Sequence, residues 1–201
     1  MNPNRKENAA VPSLKRIALL ATVFLGCLLA SKLFWQRSEP VEGQARATLW
    51  LRSESFSDGG AIPRRYTCDG ADSSPQLQWP AAPAGTKSFA MVMDDPDAPI
   101  DFTHWLAWNI PPGSRQLAEG ASTEGSMPIG SAEGRNNFGR LGYGGPCPPR
   151  GNPHHYFFRV YALDIRLDLP AAATRRELDA AMGGHSLVQG QIVGTYQRAS
   201  Q

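Results

Sequence analysis

Three groups of residues in this 201-residue sequence have the types and spacing to do chemistry. The first is Asp95-Pro96-Asp97. Proline fixes its own φ and biases the preceding residue towards extended geometry, so both carboxylates project from a stiff loop. Two readings stay open: a rigid binding loop, or a solvated turn in which Asp and Pro are ordinary turn residues. The second group is His104, which opens His104-Trp105-Leu106-Ala107-Trp108-Asn109-Ile110. Strand alternation predicts that it shares a face with Leu106, Trp108 and Ile110, either as a pocket group or as a satisfied histidine at the core edge. The third runs from Asn136 through Gly144-Gly145-Pro146-Cys147-Pro148-Pro149 into His154-His155-Tyr156. Its glycines allow close backbone approach and its prolines freeze the path, which predicts an ordered loop. Alternation puts His154 and Tyr156 with Phe158 and Val160, and His155 with Arg159, so His154 is the expected pocket histidine.

The elements that must position these groups are short strands. Ala47 to Arg52 alternates as a half-buried strand, Ser88 to Met93 is a second, His104 to Ile110 a third, His155 to Leu163 a fourth and Gln191 to Tyr196 the last. Thr174 with Glu177 three residues later is a capping-box signature, and Leu178, Ala181 and Met182 give the following helix an apolar stripe ended by Gly183-Gly184. With 17 Pro and 20 Gly, this pattern predicts a mainly β protein: a two-sheet antiparallel β-sandwich with one late, C-terminal α-helix packed beside it.

Charge divides the chain. Residues 1–40 hold six basic and two acidic groups, leaving 14 and 16 for residues 41–201 of the total 20 and 18. The positive excess therefore belongs to the leader, and a nucleic-acid-binding domain is excluded on charge. Arg5, Lys6, Lys15 and Arg16 precede an apolar run from Ile17 to Trp35, the order of an export signal or signal anchor. Residues 1–35 are thus read as leader, 36–45 as a polar linker and 46–201 as the exported domain. A retained inner-membrane anchor with a periplasmic domain is the first reading. A lipoprotein carried on Cys27 is the second, and a free secreted protein the third.

Cys68 and Cys147 are then the only pair left in a compartment that permits disulfides. Either they are bridged or they are two free buried thiols. Zinc is disfavoured because neither belongs to a C-x-x-C pair.

Six motifs occur together and in order: Tyr66-Thr67-Cys68-Asp69-Gly70, Ser74-Pro75-Gln76-Leu77-Gln78-Trp79, Asp95-Pro96-Asp97-Ala98-Pro99, His104-Trp105, Gly144-Gly145-Pro146-Cys147-Pro148-Pro149 and His154-His155-Tyr156. From about Trp50 to Arg198 the chain resembles the phosphatidylethanolamine-binding protein family, in its bacterial branch of Raf kinase inhibitor-like proteins. The resemblance implies two antiparallel sheets with a C-terminal helix and a small anion-binding pocket. Carried over, the pocket residues are Asp95, Asp97, His104, His154 and Tyr156, with Gly145, Pro146 and Pro148 forming a wall. The family usually has Arg where His155 stands, which bears on a surface contact and not on the pocket.

The residue chemistry agrees with such a site. Histidine nitrogens and a Tyr hydroxyl donate to phosphate oxygens, while the carboxylates accept from the loop or from an ammonium group. The expected ligand is phosphate or a phospholipid head group, without a cofactor. Competing readings are a hydrolase using a metal held by the acids and histidines, and an inhibitor of an envelope kinase or protease acting through surface loops. Against the first, the spacing lacks a strong metal motif, and no G-x-S-x-G, P-loop or dinucleotide fingerprint occurs. The membrane through the leader, a protein partner and a second copy in a homodimer are the other partners considered.

Overall fold

Seven of the eight residues of β2, Ser88–Asp95, are buried, and a run apolar on both faces must be a central strand. It lies at the middle of a five-stranded antiparallel sheet, ordered β5-β3-β2-β6-β7, in which β3 is Phe102–Ile110, β5 Ala132–Glu133, β6 His154–Leu163 and β7 Ser186–Tyr196. A second antiparallel sheet pairs β1, Leu77–Gln78, with β4, Gln116–Leu117. The computed structural model describes residues 48–199 apart from Glu124, all within one compact unit, Arg46–Gln201. The leader, the linker, Ala47 and Cys27 lie outside the described residues. Among those described, no helix is long and apolar enough to cross a membrane.

Each face of the large sheet has its own core. On one side Met91, Met93, Trp105, Phe158 and Val160 pack with Leu77 and Leu117 of the small sheet and with Trp79, which follows its first strand. On the other, Ala90, Val92, Leu106 and Trp108 pack with Leu178 and Met182 of helix α1, Arg175–Met182. The helix starts where the sequence signature puts it: the Thr174 side chain accepts from the Glu177 backbone N–H, and Glu177 accepts from the Thr174 backbone N–H at 2.7 Å. Residues i and i+4 of this short helix, Leu178 and Met182, form its buried stripe.

The expected first strand is a correction. Leu49 and Leu51 are buried and Trp50 is exposed, so the alternation holds, but the segment forms only isolated bridges, Thr48 to Gln189 and Arg52 to Gln78. It crosses from the edge of the large sheet to the small one and completes a ladder with neither. Gly190 allows this crossing, since a Cβ there would lie 1.8 Å from the Leu49 carbonyl oxygen.

The expected face of His104 is a second correction. Met93 pairs with Trp105 but Asp94 pairs with Thr103, so one step on β2 matches two on β3 and His104 is the extra residue. Between Phe89 to Ile110 and Met91 to Ala107 another residue is inserted, beside Asn109 with φ 56°. Each bulge flips the alternation beyond it. Leu106 and Trp108 therefore face the helix, whereas Ile110 faces the small sheet. His104 turns to that same side, its ring 5.2 Å from the ring of Tyr156.

Candidate anion site

Two Asp–His pairs flank Pro96, one inside and one outside. Asp95, the last residue of β2, is 3% exposed. Its Oδ1 accepts the Asp97 backbone N–H at 2.9 Å, closing the turn over the proline, and its Oδ2 lies 2.8 Å from His154 Nδ1. An ionised carboxylate only accepts, so His154 carries its hydrogen on Nδ1 and turns Nε2 away from Asp95. Asp97 is exposed. Its Oδ2 accepts both the backbone N–H and the Nδ1–H of His155, each at 2.7 Å. These bonds, the side-chain one foremost, hold its carboxyl below the usual carboxylate range. Adjacent residues of β6 point to opposite faces, which is why His154 meets the buried acid and His155 the exposed one. The structure thus joins Asp95, His154 and Tyr156 at the start of β6 and draws Asp97 to His155.

His104 is 2% exposed and its Nδ1 lies 2.6 Å from the Gly144 carbonyl oxygen. A carbonyl accepts, so Nδ1 holds the hydrogen and a neutral ring presents Nε2 as an acceptor. Burial pushes its pKa below the usual histidine value, against the opposing pull of that carbonyl and of Asp95. Gly144 N–H donates back to the His104 carbonyl at 2.9 Å, so strand and loop grip each other at this residue.

Tyr156 is fully buried, and its hydroxyl completes no hydrogen bond of normal geometry among the described residues, the Asp95 carboxylate being an acceptor close by. Burial, and after it the charge of Asp95 and the hydroxyl's own interaction with that carboxylate, pushes its pKa far up, so the group is a protonated donor at any physiological pH. Buried hydroxyls ordinarily find a partner. Here a donor stands near one carboxylate and one histidine ring, with the second histidine on the other side of that carboxylate.

Aromatic rings close the site. Phe138 lies 4.8 Å from Phe102 and 5.4 Å from His104, ring centre to ring centre. Gly144 makes room for it, since a Cβ there would lie 2.5 Å from Phe138 Cδ2. Beyond Gly144 the loop expected to form the wall is tied to residues 66–72: Gly145 N–H donates to Asp72, Pro146 accepts from Cys68 N–H, and Cys68 is bridged to Cys147. Pro146 and Pro148 are buried. Phe102, Phe138 and Asp72 escape a reading of the sequence, as does the contact of Gly144 with His104. Phe138 lies inside a segment noted for its glycines and prolines, but nothing in its spacing ties it to His104. Among the described residues, no three or more His, Cys, Asp or Glu side chains are grouped to hold a metal ion.

Residues 52–197 match the family model described as phosphatidylethanolamine-binding protein. The chain is 49% identical over 149 residues to a protein of Methanothermobacter thermautotrophicus called "UPF0098 protein", covering 74% of this chain and 98% of the relative. It is 39% identical over 155 residues to the Mycobacterium tuberculosis protein named "Putative lipoprotein LppC", covering 76% and 74%. Among solved structures it is similar to Escherichia coli YbcL, described as a new member of the mammalian PEBP family. That likeness has a TM-score of 0.72 and 32% identity, and covers 76% of this chain and all of the other.

Proposed function

The chain belongs to the phosphatidylethanolamine-binding protein family, and from that membership we propose that it is a non-enzymatic binding protein of the cell envelope whose pocket takes a small phosphate-bearing group. The observation that carries this reading is the buried Tyr156 hydroxyl, a donor that completes no hydrogen bond of normal geometry among the described residues, near Asp95 and the His104 ring, with His154 on the other side of Asp95. An anion oxygen would satisfy that donor. Asp95 keeps the hydrogen of His154 on Nδ1, so Nε2 is left for the ligand and becomes a donor when the ring is cationic. His104 has the same polarity through Gly144. A ligand that brings its own acidic proton, such as a phosphate monoanion, can donate to a neutral Nε2. The head group of phosphatidylethanolamine adds an ammonium, for which the exposed Asp97 is a nearby acceptor.

An envelope location is supported by the basic-then-apolar leader, by likeness to a relative named as a lipoprotein, and by the Cys68–Cys147 bridge, which suits an oxidising compartment. Cell fractionation of Cys27→Ser separates the two tethers: release from membranes identifies lipidation, retention a signal anchor.

Calorimetric titration of the full chain with phosphate, phosphoethanolamine and sulfate tests the pocket, beside Tyr156→Phe and His154→Ala. Saturable binding, weakened about tenfold by Tyr156→Phe through loss of one hydrogen bond to a charged group, is the expected result. Binding to none of the three anions overturns the reading.

A further inference from the structure

Two loops wall the candidate site, and both lie outside its strands. Residues 136–142 carry Phe138, which packs on Phe102 and His104. Residues 144–148 begin with the carbonyl that holds His104 Nδ1. One side chain of a third segment, Asp72, touches both. Asp72 Oδ1 accepts the Gly145 N–H at 2.6 Å, and Asp72 Oδ2 pairs with Arg140. The Arg140 guanidinium lies over the Phe138 ring, 5.4 Å from its centre. The fit at Gly145 is close: a Cβ there would stand 2.6 Å from Asp72 Oδ1 and 2.4 Å from the Tyr66 carbonyl oxygen. Asp72 holds this place in the left-handed region, with φ 55°, which Asp tolerates better than most residues. A carboxylate near an anion site is unfavourable by charge alone, and Arg140 offsets it.

We propose that Asp72 is a positioning residue: one carboxylate, through its two oxygens, sets both loops that wall the anion site, the first by way of Arg140 and Phe138, the second by way of Gly145 and the His104–Gly144 contact. The assignment rests on the reading of this site as an anion pocket. Its geometric content does not depend on the ligand. Breaking the Gly145 contact loosens the Gly144 carbonyl from His104 Nδ1, while the Gly144 N–H keeps its bond to the His104 carbonyl. Breaking the Arg140 contact frees the ring that covers His104.

The test uses the full chain, with inorganic phosphate as the calorimetric probe and NMR of the His104 Nδ1–H as a readout free of ligand. Asp72→Ala is expected to weaken phosphate binding about tenfold and to speed exchange of that proton with solvent, since it removes both charge-assisted contacts. Asp72→Asn keeps an oxygen for Gly145 N–H and is expected to restore slow exchange while losing the ion pair. Arg140→Gln is expected to match Asp72→Asn in affinity, with the two changes together no worse than either alone. Should Asp72→Ala fail to fold, the last two variants and their combination carry the test, and strictly additive losses overturn the shared clamp. Wild-type exchange of the His104 proton in folded Asp72→Ala overturns the assignment outright. No phosphate binding by the wild type, with exchange accelerated in Asp72→Ala, overturns the anion reading and leaves Asp72 as the residue that sets the loops.

Discussion

His104 concentrates the physical chemistry of this protein in one side chain. Burial lowers its pKa, so the folded chain refuses a proton that the unfolded chain accepts. Below the ordinary histidine pKa of about 6.5 the unfolded state therefore binds more protons, and stability rises with pH through that window and falls as pH drops through it. The thermal midpoint of the wild type should fall more steeply between pH 7.5 and 5 than that of His104→Gln; parallel curves would sink the claim. The anion reading gives the opposite dependence for the ligand. A cationic His104 offers Nε2–H to an oxyanion, so sulfate, which carries no proton of its own near neutrality, should bind tighter as pH falls. Candidate site residues were legible one by one from the types Asp, His and Tyr in strand-flanking positions. Their division was not. Only the turn over Pro96 decides that Asp95 goes to His154 and Asp97 to His155.

At the scale of elements, capping and register carry the testable content. Thr174→Ala removes the oxygen that accepts Glu177 N–H and should cost about 1 kcal/mol in urea unfolding; an unchanged midpoint would show that sheet packing alone holds α1. Asn109 occupies a left-handed conformation, and its side chain both donates to the Leu167 carbonyl at 2.9 Å and accepts Leu167 N–H at 2.8 Å. Asn109→Ala loses two hydrogen bonds and adds backbone strain, about 2–3 kcal/mol together. Asn109→Gly loses only the bonds and should be the milder variant; equal losses would deny the strain. The bulges at His104 and Asn109 are also where the sequence reading fails. An inserted residue leaves local composition untouched and is fixed by the pairing of β3 with β2, so periodicity within one strand carries no sign of it.

Among the described residues as a whole, three layers and one covalent tie set stability. The small sheet and the helix cover opposite faces of the large sheet, each with its own apolar cluster, so loss of either would expose a core. The Cys68–Cys147 bridge closes a loop of 79 residues, for which the chain-entropy model gives about 4.5 kcal/mol. Replacing both cysteines by Ser should lower the unfolding free energy by roughly that amount and steepen its dependence on urea, since the unfolded chain without the bridge exposes more surface; a loss below about 1 kcal/mol would place the bridge's effect elsewhere. The same variant should weaken phosphate binding, because the bridge anchors the wall loop one residue beyond Pro146.

What the sequence determined by itself was the class of the protein and where its charge lies: an excess of basic residues in positions 1–40, the four long strands, the helix with its cap, and the ordered motifs that mark the family. These are properties of neighbours in the chain, where propensity, alternation and capping act. Tertiary structure decided the rest: the face of His104, the outward turn of Asp97, the pairing of Cys68 with Cys147, and the arrival of Phe138 and Asp72 at the site. Those contacts join residues far apart in sequence. Their geometry follows from strand pairing and loop closure, which no local pattern records.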